Sequence, residues 1–161
     1  MRLARSAAAV ALAVTALALT GCGPDEPVRD EETGEITESS ESDVFALQVG
    51  DCMNSGELAE EVESVPTVPC SEPHDSEIFA STELEDGDYP GDDAIFDLAD
   101  EFCLAEFETF IGVPYDESEI YYQPLAPSEM GWNELDDREV LCIALDETEG
   151  GITGSLEGAA R

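Results

Sequence analysis

The sequence has very little positive charge. Of its 161 residues, 40 are aspartate or glutamate and only five are basic, all of them arginine. The formal net charge is −35 at pH 7. A surface of this sign repels the phosphates of nucleic acids and anionic lipid headgroups, so we expect neither as a direct ligand. The acidity indicates either adaptation to a salty or acidic exterior, or a basic or polycationic partner.

The sequence also lacks most residue patterns that catalytic and metal sites require. It has one histidine, His74, no lysine, no Gly-X-Ser-X-Gly segment and no Cys-X-X-Cys pair. A catalytic histidine needs a nucleophile and an orienting acid, and a zinc site needs several cysteine or histidine ligands. We therefore expect no enzymatic activity, no cofactor and no metal. His74 is interpreted as a structural residue, with contact to a partner as the alternative.

An acidic loop gives only a poor match to a calcium-binding loop. Asp86, Asp88 and Asp97 stand at positions 1, 3 and 12 of an EF-hand frame, with Gly91 at position 6. Position 5 is Pro90, and position 12 is aspartate where the motif has glutamate. Diffuse association of divalent cations with the acidic surface is favoured over a specific site.

The N-terminal stretch has the pattern of a bacterial lipoprotein signal peptide. Arg2 and Arg5 supply a positive region, residues 7–19 are apolar, and Leu19-Thr20-Gly21-Cys22 forms a lipobox. The apolar region is shorter than the roughly 20 residues of a membrane-spanning helix. We predict that residues 1–21 are removed and that Cys22 carries palmitate or similar acyl chains. The mature protein would then be anchored to the outer face of the cell membrane.

The remaining chain divides into a tether and one folded domain. Residues 22–43 include nine acidic residues and almost no apolar ones, so we predict a disordered tether behind the lipidated Cys22. Residues 44–161 have the length of a single domain.

Hydrophobic periodicity predicts an α+β fold with one main helix. Residues 92–111 place apolar side chains at helical spacing, with Asp92 as a candidate N-cap and Gly112 as a stop signal. Strands are predicted over residues 44–49, 77–80, 120–122 and 139–145, and a proline-interrupted extended segment over residues 62–68. This arrangement favours a small antiparallel sheet with the helix on one face.

Four cysteines remain after the predicted lipidation. An even number in an exported chain predicts two disulfides, for which three pairings exist. We favour Cys52–Cys70, which closes a local loop, and Cys103–Cys142, which ties the predicted helix to a late strand.

Several side chains are candidates for structural or partner contacts: His74, Asp75, Trp132 and Arg138. Arg138 lies among many carboxylates and is expected to form an ion pair, with Asp51 and Asp75 as the candidate partners.

Trp132 and two tyrosines, Tyr121 and Tyr122, offer two interpretations. They belong either to the core or to an exposed platform for a peptide or a glycan.

Three segments carry a family resemblance: Val49-Gly50-Asp51-Cys52, residues 68–77 with the run Pro-Cys-Ser-Glu-Pro-His-Asp, and residues 87–92. Together with the later cysteines and Trp132, they resemble the septum-formation domain of actinobacterial envelope proteins over residues 44–158. Leu135-Asp136-Asp137-Arg138 departs from the Gly-Asp-Arg turn of that family.

The resemblance implies a link to septum formation in cell division and no established catalytic residues. The expected function is a lipid-anchored extracytoplasmic interaction protein with an envelope or division protein as partner. The alternative is an envelope lipoprotein that binds a ligand or a divalent cation.

Overall fold

Six antiparallel strands and one long helix organise the protein in the computed structural model, which describes residues 26–56 and 63–161. The predicted signal peptide and Cys22 lie outside the described residues. The sheet order is β1-β3-β2-β4-β6-β5. The strands are β1 (Ser40–Asp43), β2 (Cys52–Met53), β3 (Ser64–Val68), β4 (Ser76–Glu83), β5 (Tyr121–Leu125) and β6 (Glu139–Leu145). The helices are α1 (Asp92–Ile111) and α2 (Glu129–Glu134).

Helix α1 has the bounds that its periodicity predicts. Its buried residues follow a four-residue step from Ile95 through Ala99, Cys103 and Phe107 to Ile111, so they form one stripe. The helix ends at Gly112, which adopts the left-handed conformation favoured by glycine. The predicted N-cap is wrong, because Gly91 is the N-cap residue and Asp92 is already helical.

The two faces of the sheet carry separate apolar clusters. Val140, Cys142 and Ala144 alternate along β6 with Leu141 and Ile143, so the two sets point to opposite faces. The first set packs in the cluster that contains the buried stripe of α1. The second set packs with residues of β2, β3 and β4. The predicted α+β fold, with one main helix on one face of an antiparallel sheet, is confirmed.

Both favoured disulfides are present. Cys52 at the start of β2 is bonded to Cys70, with 5.2 Å between their Cα atoms. Cys103 on α1 is bonded to Cys142 on β6, with 5.4 Å between their Cα atoms. The second bond crosses the main core, since both of its cysteines are fully buried. It therefore connects the helix covalently to the centre of the sheet.

The structure differs from the sequence prediction near the N-terminus of the domain. Within the stretch predicted as a disordered tether, β1 pairs antiparallel with β3, and Ser42 and Thr67 share a buried hydrogen bond of 2.6 Å. The predicted strand at residues 44–49 is wrong. Val44–Ala46 form a single 3₁₀ turn, in which the Asp43 carboxylate accepts a hydrogen bond from the Phe45 N–H. This turn follows β1 directly, and the chain then reaches β2 on the other side of β3.

None of the helices among the described residues is long and apolar enough to cross a membrane.

Candidate functional site

His74 lies at the centre of the segment that carries the family resemblance. Its ring is fully buried, and Nδ1 is 2.8 Å from the carbonyl oxygen of Glu72. Its backbone pairs with Ile152. A carbonyl only accepts, so Nδ1 carries the donated proton. Nε2 has no hydrogen-bond partner among the described residues. These contacts are those of a structural residue, and the buried ring offers no atom to a substrate in solution.

Gly151 allows the C-terminal segment to approach this histidine. A Cβ atom at Gly151 would lie 2.8 Å from the carbonyl oxygen of His74, which is too close for any other residue. Its φ of +76° also favours glycine. The backbone bridge between His74 and Ile152 therefore depends on glycine at this position.

Glu77 forms a second link between β4 and the C-terminal segment. Its carboxylate accepts a hydrogen bond from the Ser155 hydroxyl at 2.8 Å and from the Leu156 N–H at 2.6 Å. The side chain is almost completely buried. Burial raises the pKa of the Glu77 carboxyl, although both hydrogen bonds oppose this shift.

This pKa shift predicts how the free energy of unfolding depends on pH. Because folding raises the pKa of Glu77 above its ordinary value of 4.5, the protonated carboxyl favours the folded state. The contribution of the protonated Glu77 carboxyl to the free energy of unfolding is fully present below pH 4.5. It is lost as the pH rises through the pKa of Glu77 in the folded state. In Glu77→Gln, which does not ionise, the amide can accept from the Leu156 N–H and donate to the Ser155 hydroxyl. We expect this variant to gain stability relative to the wild type across that pH window.

This difference in stability is measured by urea titrations between about pH 4 and pH 8. Unfolding is monitored by the fluorescence of the single tryptophan. Both proteins share all other titrating groups, so subtracting the two curves isolates residue 77. A difference that stays constant with pH, or that favours the wild type as the pH rises, would contradict the prediction.

Arg138 and Trp132 form a stacked pair. The guanidinium carbon lies 3.9 Å from the centroid of the Trp132 ring, and Nη1 donates to the Trp132 carbonyl at 3.0 Å. The guanidinium also forms ion pairs with Asp136 at 3.1 Å and Asp86 at 3.4 Å. Asp51 was therefore the wrong partner for Arg138. Local geometry explains this, because α2 and the following turn place the arginine over the tryptophan ring.

Asp75, the other predicted partner of Arg138, is also not bound to it. Its carboxylate accepts hydrogen bonds from the Ser55 N–H at 2.9 Å and from the Ser76 hydroxyl. These bonds hold the half-buried carboxylate beside the end of β2.

For two of the three aromatic residues, Trp132 and Tyr122, the structure agrees with the core interpretation and not with the exposed platform. Trp132 is buried, and its ring N–H donates to the Gly87 carbonyl at 2.9 Å. Tyr122 packs against Phe107, and its hydroxyl donates to Asp100 at 2.7 Å. Burial and this carboxylate raise the pKa of Tyr122. Tyr121 alone remains 48% exposed, because adjacent residues of a strand point to opposite faces.

Arg29 is the functional-site candidate that the sequence interpretation missed. Its guanidinium makes two hydrogen bonds to Asp51, at 2.5 and 2.7 Å, and donates to the carbonyls of Ala46 and Gly34. Asp51 is buried and also accepts from the Gln48 N–H at 2.8 Å. The only sequence signal was the rarity of arginine in so acidic a chain. This ion pair attaches the segment before β1 to the domain.

A cleft opens on the sheet face opposite α1, between the end of β6 and the edge strand β5. Its volume is 630 Å³. We call it the acidic cleft, because three carboxylates line it together with an aromatic ring, an amide and an apolar side chain. Its principal residues are Asp75, Tyr121, Gln123, Leu145, Asp146 and Glu147.

No group of three or more histidine, cysteine, aspartate or glutamate side chains within residues 26–56 and 63–161 could hold a metal ion.

A protein-family model described as "Septum formation" matches residues 20–122 and, in a second alignment, residues 49–161. These matches include the cysteines of both disulfides, His74, Glu77 and the acidic cleft. No curated protein matches the chain, and no solved structure does.

Proposed function

Because this chain belongs to the septum formation family, we propose that it is a lipid-anchored extracytoplasmic protein of the cell envelope. Its domain would act through binding to an envelope or division protein, and not through catalysis. The family match supports the link to septum formation. Residues 1–22 and the two disulfides support the anchor and the compartment.

The observation that carries this proposal is the pair of disulfides. One of them joins α1 to β6 across the main core, so the fold includes a bond that forms and persists in an oxidising environment. Cytosolic proteins rarely keep such bonds. An exported chain needs a signal, and residues 1–21 have that pattern. Cys22 would then join the domain to the membrane through its acyl chains.

A non-catalytic role is supported by the chemistry of the segment around His74. The histidine ring is buried, and the nearby Glu77 is committed to two hydrogen bonds within the domain. Neither residue presents a free nucleophile or base to solvent. Both hold the C-terminal segment against β4, and this explains their presence without a reaction.

A second candidate function is the binding of a ligand or a divalent cation, and for a ligand the acidic cleft offers a suitable volume. Calorimetric titration with calcium distinguishes the two. A stoichiometric event at submillimolar calcium would support a cation-binding lipoprotein, and weak diffuse heat would support the interaction protein.

The main test is fluorescence localisation in dividing cells of the parent organism. The full chain would carry a fluorescent protein behind a flexible C-terminal linker, and Cys22→Ala would serve as the anchor variant. We expect the wild type in the membrane fraction and enriched at the septum. Cys22→Ala should leave the membrane fraction. Uniform labelling of the envelope would overturn the septal role, and unchanged membrane association of Cys22→Ala would overturn the lipid anchor.

A further inference from the structure

Within residues 26–56 and 63–161, the face of the sheet opposite α1 has an exposed aromatic ring, Tyr121, at its β5 end. Tyr121 and Gln123 point to this face, whereas Tyr122 between them packs toward α1. Leu145, which is opposite Tyr121 in the register of β5 and β6, lies on the same face. An aromatic ring and an aliphatic side chain thus form an apolar floor at the edge of the sheet, and this floor belongs to the acidic cleft.

Carboxylates surround this floor. Asp75 projects from the loop before β4, and Asp146 and Glu147 follow the end of β6. The Asp146 carboxylate is 3% exposed and already forms an ion pair with the guanidinium of Arg161, a residue of the same chain. Burial opposes ionisation of Asp146, but hydrogen bonds from Thr148 and the Arg161 charge hold its pKa below the ordinary value. The three carboxylates and one guanidinium leave a local charge of about −2.

The volume of the cleft, 630 Å³, is within the range of about 300–1,000 Å³ for ligand sites in proteins. An apolar floor with a charged rim matches the shape of lysine and arginine side chains, which combine an aliphatic stem with a cationic head. The face of an exposed tyrosine ring also attracts such a cation. The nearly buried Asp146 carboxylate is already paired with Arg161, so Asp75 and Glu147 are the carboxylates left for such a cation.

We infer that the acidic cleft docks a lysine- or arginine-bearing segment of a basic protein partner. This inference rests on the proposed function and names the chemistry of its partner. The cationic head lies between Asp75 and Glu147, and the aliphatic stem lies along Leu145 and the ring of Tyr121. The opposite charges accelerate the encounter, and the shape of the cleft selects the side chain.

The edge strand beside the cleft limits how the partner binds. Beta-strand addition requires free backbone N–H groups along β5, and Pro124 has none. A backbone ladder along β5 would lack a donor at this residue, and the proposal therefore relies on contacts of the partner's side chains. This distinguishes the cleft from the remaining acidic surface, where cations associate without a defined geometry.

The test titrates a fluorescein-labelled oligolysine peptide of about ten residues with the full chain in detergent micelles and measures fluorescence anisotropy. A peptide of this length extends over roughly 35 Å. The cleft variant is Tyr121→Ala with Glu147→Gln, since both side chains are exposed. The control is Phe96→Ala with Asp97→Asn on the exposed face of α1, which removes one aromatic ring and one carboxylate elsewhere. Equal urea midpoints establish that both variants fold.

At about 0.15 M salt we expect the cleft variant to bind the peptide about tenfold more weakly than the wild type, and the control to differ by less than about twofold. Equal weakening in both variants would mean general attraction to an acidic surface and would overturn the inference. Unchanged affinity of the cleft variant for the peptide would also overturn the inference. Stoichiometric calcium binding that depends on Glu147 and displaces the peptide would do the same.

Failure of this inference and failure of the proposed function give different results. If the peptide binds equally to all three proteins while the wild type is enriched at the septum, the cleft inference fails alone. If the cleft variant loses peptide affinity while the wild type labels the envelope uniformly, the septal role fails and the basic-partner chemistry stands.

Discussion

Replacing Cys103 and Cys142 together with alanine is expected to lower the free energy of unfolding by about 4 kcal/mol. The bond spans a sequence separation of 39, so its removal restores much conformational freedom to the unfolded chain. Both positions are fully buried between α1 and β6, and alanine avoids placing a polar atom there. Urea unfolding followed by the fluorescence of Trp132, which is itself buried, measures the loss.

The matched control is the double replacement of Cys52 and Cys70. This pair closes a shorter loop, with a sequence separation of 18, and its removal should cost about 3 kcal/mol. We expect the order of the two losses to follow loop length and burial. A larger loss for the Cys52–Cys70 variant would show that the local loop, and not the connection between helix and sheet, dominates the stability.

Arg29→Met is expected to destabilise the domain by about 3 kcal/mol. The replacement removes the guanidinium that pairs with the buried Asp51 carboxylate. Of the two described hydrogen-bond partners of this carboxylate, only the Gln48 N–H then remains. An uncompensated buried charge costs more than the ion pair itself contributes. Adding Asp51→Asn to Arg29→Met removes that charge, so we expect the double variant to recover part of the loss in the same urea assay.

Arg29→Lys is the control for net charge. It keeps the positive charge but loses the two parallel hydrogen bonds to Asp51 and those to the Ala46 and Gly34 carbonyls. The free energy of unfolding of Arg29→Lys should lie between those of the wild type and Arg29→Met. If Arg29→Met instead unfolds at the wild-type midpoint, the ion pair between Arg29 and Asp51 contributes nothing to the stability of the domain.

Local sequence patterns were sufficient for the central elements of the fold. The apolar residues of α1 recur every four positions, and β6 is an apolar run of seven residues, so the bounds of both elements agree with the prediction. The disulfide pairing was also correct, because one cysteine lies on the apolar stripe of the helix and another within this strand. These elements contain in their own residues the information that specifies them.

The polar segments could not be predicted in the same way. Strand β1 has the sequence Ser-Glu-Ser-Asp, which has no strand pattern of its own. It is held by the backbone of β3 and by the Ser42–Thr67 hydrogen bond. The helix α2 was missed because it has only six residues and no apolar stripe. Such elements depend on partners that are distant in sequence, and propensity does not report them.

The ion pairs were the least predictable feature of the candidate site. With 40 acidic residues available, each arginine had many candidate partners of equal chemistry. Arg138 stacks on Trp132 and pairs with Asp86 and Asp136, whereas Asp51 takes Arg29. Sequence proximity would have indicated Asp136 for Arg138, but it indicated neither Asp86 for Arg138 nor Asp51 for Arg29. Only the folded chain places one carboxylate, and not its neighbours, within reach of a given guanidinium.

The sequence by itself determined the fold class, the main helix, the strand that packs against it and the two disulfides, because each follows from periodicity or from the number and position of the cysteines. The tertiary structure alone decided the start of the domain, the partner of each arginine and the exposure of each aromatic side chain. It also formed the acidic cleft from the ends of β4, β5 and β6. These properties depend on distances between residues far apart in the chain, which exist only after the sheet has formed.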